Sequence, residues 1–206
     1  MARPTGSRAK EFEARRGTLL VLARQHLSQP AGRRASWRDL AAACGVSPST
    51  LAHYFGDRDR LIAAILAHAR SEGEIYLARA ARPSGPFPDS IRELVALLGQ
   101  GLDRGVMALQ IIGITEGLAS PGAATAYLGE HLEPVLGAIA ARLAAHAALG
   151  EIAPLAPRFA AIGLLAPMLV ARLHQSELGG HASHPLSLPA FDAAHADAFI
   201  RAHQPA

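Results

Sequence analysis

Apolar residues recur at helical spacing along almost the whole chain, and almost no segment alternates with period two. Near the N-terminus, Phe12, Leu19, Leu20, Ala23 and Leu27 fall on one face of a helix. Leu40, Ala41 and Cys44 repeat that spacing in a second, short helix, and Leu51 and Phe55 do so in a third. A fourth is predicted from Arg58 to Arg79, with Leu61, Ile62, Ile65, Leu66 and Ala69 as its packing residues. Pro83-Ser84-Gly85-Pro86 then stops it. Further helices are predicted near 88–103, 105–118, 122–149, 155–178 and 190–203, with a Gly-rich loop at Gly179–Leu188 between the last two. The fold class is all-α. The pattern divides it into an N-terminal domain over 1–60, a connecting helix over 58–82 and a helical bundle over 83–206.

The punctuation between the second and third helices carries chemical information. Ser36 and Asp39 stand three apart, as in a capping box. Gly45 follows Cys44, where a helix ends in a left-handed residue. Ser47 and Pro48 restart a helix as N-cap and first helical residue. Val46 and Leu51 occupy the staple positions that fix the angle of entry. This is helix-turn-helix grammar, and it points to DNA. On the third helix, Leu51 and Phe55 share one side, Ser49, Thr50 and His53 lie roughly opposite, and Tyr54 is on the flank. Short hydroxyls and an imidazole can reach base edges or phosphates from a major groove. Arg58 and Arg60 crowd the first turn of the fourth helix, where the macrodipole disfavours cations. A phosphate at that helix end would take both the amide protons and the Arg58 guanidinium.

Charge sharpens the division. Residues 1–82 hold fourteen Lys and Arg against seven Asp and Glu, whereas 83–206 hold six against ten. The net charge of +3 therefore hides a basic half that coincides with the motif. Arg3, Arg8, Lys10, Arg15 and Arg16 form a basic arm, and Arg33, Arg34 and Arg38 precede and enter the first motif helix. Arg38 joins the expected DNA-facing set on that ground.

These residues together resemble the DNA-binding domain of the TetR family of bacterial transcriptional regulators. The resemblance rests on Trp37 through Ala43, Gly45-Val46-Ser47, Ser49-Thr50-Leu51, His53-Tyr54-Phe55 and Arg58-Asp59-Arg60-Leu61. It implies that Ser47, Ser49, Thr50, His53 and Tyr54 lie on the DNA-facing helix and that Arg58 is a phosphate contact. It also implies a ligand-responsive repressor that binds a palindromic operator as a homodimer. The C-terminal bundle would dimerise through its last two long helices, here Leu155–Leu178 and Ala190–Arg201, and enclose a ligand pocket. Ala160, Ala161, Gly163, Ala166 and Ala171 would allow close helix approach. Two positions depart from the family pattern: Ala52 stands where an aromatic is usual, and Arg58 where Lys is usual.

Candidates for an apolar cavity with a few polar anchors are Met107, Gln110, Ile111, Ile114, Tyr127, His131 and Met168. Tyr127 and His131, four apart on one helix, suit the orientation of a polar group. With aromatics at 5%, an aliphatic or acyl-type effector fits better than a stacked planar cation. No cofactor is expected. His181, His184 and His195 lack the fixed set of three or four donors that zinc needs, so no metal is expected. Nor is an enzyme: there are no paired acids, Ser-His-Asp order, nucleophile elbow or phosphate-cradling Gly loop, and Glu116, Glu130 and His131 form no more of a constellation than most bundles offer. The alternative is a helical DNA-binding or protein-interaction module with no small-molecule effector. The single Cys excludes an intramolecular disulfide, and the first 16 residues are too basic and polar for a signal peptide. The longest apolar run, Phe159–Leu173, contains Pro167 and Arg172 and is shorter than a bilayer span. A cytoplasmic location away from membranes is the expectation.

Overall fold

The apolar stripes become helices, and Gly, Pro and side-chain caps stop them. The computed structural model describes residues 5–203, and every regular element among them is helical. The elements are α1 (Thr5–Ser28), a 3-10 turn (Pro30–Arg34), α2 (Trp37–Ala43), α3 (Pro48–Phe55), α4 (Arg58–Ala80), α5 (Phe87–Gly101), α6 (Met107–Ala119), α7 (Pro121–Tyr127), α8 (Glu133–Ala148), α9 (Pro157–Arg172) and α10 (Leu188–His203). They form two compact units. Among the described residues, one is 5–71 with Leu109–His131, and the other is Glu72–Ala108 with 132–203. Pro83–Pro86 does separate two helices, but the units divide elsewhere, within α4 and at the start of α6.

The first unit is built on the predicted stripes. Leu19, Ala23 and Leu27 of α1, Leu40 of α2, Leu51 of α3 and Leu61, Ile62, Ile65 and Leu66 of α4 are at most 1% exposed. Each Leu or Ile contributes roughly 1.5–3 kcal/mol by leaving water. Cys44 is buried among them, its Sγ donating to the Leu19 carbonyl, and burial pushes its thiol pKa up.

The second unit packs α8 on α9 and α10 on both α5 and α9. Its core encloses charge. Arg142, with no exposed surface, donates to the Ala80 and Arg79 carbonyls at the end of α4, to the Ser90 carbonyl and to Glu93. The guanidinium thus caps carbonyls in a turn where α4 runs out of its own donors. His146 bridges Ser90 Oγ and Glu151 beside it. Arg172 is clamped between Asp103 and Asp192. Between α5 and α6 the chain kinks at Arg104 and Gly105, and Gly105 has φ 115°, a conformation that L side chains rarely adopt.

One predicted element differs in detail. The helix expected over 122–149 is α7 and α8 joined without a break by a wide π-type turn, Leu128–Leu132. Pro167 lies inside α9, within the helix predicted near 155–178. By length and composition two helical stretches, Phe87–Ala119 and Pro157–Glu177, could cross a bilayer, which is longer than the sequence reading allowed. The first is kinked at Arg104–Gly105, and the second carries Arg172 buried in ion pairs.

Candidate nucleic-acid interface

The site begins with the capping of α2. The Ser36 amide donates to Asp39 Oδ2 at 2.8 Å, and the Asp39 amide donates back to Ser36 Oγ at 3.3 Å. Both halves of the capping box are present. Hydrogen bonds from the Ser36 side chain and backbone hold the exposed Asp39 carboxyl below the usual range. Gly45 ends the element with φ 67°, and Ser47 starts α3 by accepting from the Thr50 amide at 3.1 Å. The indole of Trp37 donates to the Pro48 carbonyl and ties the two helices together at their starts.

The outward face of α3 then follows from its inward one. Leu51 and Phe55 are buried, so Ser47, Ser49 and His53 are exposed, and Thr50 and Tyr54 are half-buried. The Ser47 hydroxyl lies 2.9 Å from that of Ser49 and 2.8 Å from that of Thr50, so the helix start presents a linked group of three hydroxyls. Phe12 of α1 stacks on Tyr54 with ring centroids 4.7 Å apart and meets His53 edge-on at 5.7 Å. These contacts restrain both rings from the α1 side. Arg16 lies over the Phe55 ring, and Arg38 is exposed on α2.

Arg58 behaves differently from its sequence reading. Its Nε and Nη2 donate to the two carboxylate oxygens of Glu116 at 2.7 and 2.6 Å, and Nη1 donates to the Ala35 carbonyl at 2.7 Å. The first-turn position that argued for a phosphate is occupied here by an internal carboxylate, which offsets the unfavourable macrodipole. The hydrogen bonds to Glu116 raise the arginine's pKa further, so it stays charged. Asp57 caps α4 by accepting from the Arg60 amide, and Ser120 donates to Asp59. Sequence reasoning missed Glu116 as the partner of Arg58. The two are 58 positions apart, and nothing local to either links them.

Residues 19–65 match the family of "Bacterial regulatory proteins, tetR family", a span that covers the capped helix-turn-helix and the start of α4. The N-terminal segment over these residues is thus similar to the DNA-binding domain of the tetR family. Structures of similar fold include a protein of Mesorhizobium loti assigned to the TetR-family transcriptional regulators, with TM-score 0.69, 18% identity and 94% of this chain and 98% of that one covered. FadR, the fatty acid degradation regulator of Bacillus halodurans, gives TM-score 0.66 at 15% identity, with 90% and 94% covered. SmeT, the repressor of a multidrug efflux pump in Stenotrophomonas maltophilia, gives 0.61 at 16%, with 92% and 90% covered. At such identities the likeness is one of fold. No curated protein matches the sequence.

The candidate effector residues are split between the two units. Gln110, Ile111, Ile114, Tyr127 and His131 belong to the first unit, whereas Met107 and Met168 are buried in the second. Within the first unit, the Tyr127 hydroxyl donates to Gln110 Oε1, and both side chains are buried. Burial pushes the phenol pKa up to about 12. The His131 ring lies 6.0 Å from that of Tyr127, and its buried Nε2 has no hydrogen-bond partner among the described residues. Burial, aided by the charge of Arg24, lowers its pKa to about 4, so the imidazole is neutral. Ile114 faces outward and is 44% exposed. A small cavity in this unit is lined by Leu27, Arg33, Ile111, Ile112, Thr115 and Glu116; of the predicted lining it contains Ile111 alone.

Proposed function

We propose that this transcriptional regulator is a homodimeric, effector-responsive repressor of a palindromic operator. The observation that carries the reading is the capped α3. Its buried Leu51 and Phe55 turn a linked Ser47–Ser49–Thr50 hydroxyl group and His53 outward on the basic half of the chain. Those hydroxyls and His53 read the major groove, Tyr54 stands on the flank, and Arg38 and Arg58 answer the phosphate backbone. Two such helices, about 34–36 Å apart, would span successive major grooves.

Dimerisation through α9 and α10 is supported by what the second unit leaves uncovered. Phe159, Ile162, Gly163, Ala166 and Val170 form an exposed apolar face on α9, and Ala193, Ala194 and Ala198 lie outward on α10. Small residues beside a few large apolar ones allow close helix approach. Ala161 and Ala171 instead face the unit's own core.

For the effector we infer an apolar, aliphatic or acyl-type molecule anchored by a hydrogen bond to the unpartnered Nε2 of the neutral His131 ring. FadR, named for fatty acid degradation, and SmeT, named as a repressor, share the fold and are consistent with this reading. One observation favours a module without effector: Gln110 and Tyr127 satisfy each other rather than face an open chamber. The two readings separate in a thermal-shift screen with straight-chain acids and alcohols. A rise in melting temperature supports the effector, and no response across the series supports the module.

The deciding experiment for DNA titrates the protein against a labelled duplex from its own upstream region and an unrelated duplex, across salt. Sequence-selective binding that weakens steeply with salt is expected. Equal, weak binding to both would overturn the operator reading.

A further inference from the structure

Arg58 has five N–H donors in a rigid fork, and Glu116 occupies one whole edge of it while the Ala35 carbonyl takes a donor from Nη1. A phosphate bound bidentately needs such an edge. Glu116 is 7% exposed, so its carboxylate gains little from water and much from the guanidinium. The Arg58 side chain is 30% exposed, near enough to the surface to exchange partners. As paired, the two charges cancel, and the first turn of α4 presents DNA with no net charge from Arg58. The neighbouring Asp59 is held by Ser120, just past the end of α6, so a second hydrogen bond joins the same two segments.

We propose that Glu116 is an intramolecular competitor for the DNA phosphate, holding Arg58 in the DNA-free protein and releasing it when the first turn of α4 docks on the backbone. The inference rests on the DNA-binding reading above and adds a residue outside the helix-turn-helix to the set that controls affinity. Because the contest is for a phosphate, its effect is independent of sequence. A pair that merely pins the domain in its binding shape would act with the opposite sign: removing it would weaken binding.

The test uses the full chain and two duplexes, one from its own upstream region and one unrelated. Glu116→Gln keeps the shape of the side chain and removes the charge. Binding to both duplexes is expected to tighten alike by about three- to tenfold, with the slope of log affinity against log salt unchanged, because Arg58 reaches the phosphate in both proteins. Arg58→Gln in the Glu116→Gln background should erase that gain. Unchanged or weaker binding by a Glu116→Gln protein that keeps its wild-type circular dichroism would overturn the proposal. Should that variant fail to fold, the Arg58 Nε–H resonance of the wild type decides. A shift on adding unrelated duplex supports release from Glu116, and an unmoved resonance overturns it. A wild type that binds neither duplex would instead sink the DNA reading, and it would do so without reference to any variant.

Discussion

His131 shows what burial does to one ionisable side chain. Its folded pKa, about 4, lies below the ordinary 6.5, so between those values the unfolded chain carries a proton that the folded chain refuses. Stability contributed by the neutral ring is therefore complete above about pH 6.5, falls as the pH drops toward 4, and changes no further below that. Urea denaturation at pH 7 and pH 4.5 should show the wild type losing about 2–3 kcal/mol more than His131→Leu over that interval. Equal losses would contradict a buried neutral imidazole. Arg142 makes the opposite case, a charge kept inside by its acceptors. Arg142→Ala should cost about 3–5 kcal/mol in the same assay, since two α4 carbonyls, the Ser90 carbonyl and Glu93 lose their donor. Neither environment was legible in the sequence. Arg142 reads there as one more helix-surface cation, and its partners lie 49 to 63 positions away.

At the scale of the element, legibility was high wherever the determinant is local. Ser36–Asp39, Gly45 and Ser47–Pro48 each fix a helix end through atoms within three or four residues, and each was found where the spacing placed it. Ser47→Ala should cost about 1 kcal/mol of stability by freeing the Thr50 amide, and under the DNA reading it should also weaken binding. Thermal denaturation beside a DNA titration measures both, and a variant as stable as wild type would remove the cap from the account. The kink before α6 offers a cleaner strain test. A Cβ at Gly105 would meet no atom within 4 Å, so any cost of Gly105→Ala comes from φ 115° alone. About 1–3 kcal/mol is expected. The boundary between 103 and 105 was visible because Gly105 interrupts the apolar spacing. In the sequence α7 and α8 read as one helix over 122–149 although Gly129 and Pro134 lie at their junction, and the π-type turn accommodates both.

At the scale of the molecule, the exposed face of α9 makes a quantitative demand. Val170 is 63% exposed and Phe159 is 76% exposed. Val170→Glu should leave circular dichroism intact and shift sedimentation at micromolar concentration from dimer to monomer. A wild type already monomeric there would refute dimerisation through this face. The grouping of Leu109–His131 with the N-terminal chain escaped the sequence reading, because Pro83–Pro86 is the conspicuous composition break and helix assignment alone does not say which helices pack together.

That discontinuous unit has a consequence for the order in which the protein is made. Arg58 leaves the ribosome 58 residues ahead of the carboxylate that pairs with it. At about 5–20 residues per second, the nascent helix-turn-helix spends roughly 3–12 s with this arginine uncommitted. During that interval an incomplete chain has the capped α3 and an unneutralised cation, without the segment that would restrain it. Translation thus holds, for a few seconds, a helix-turn-helix segment with one more uncompensated cation than the finished protein displays.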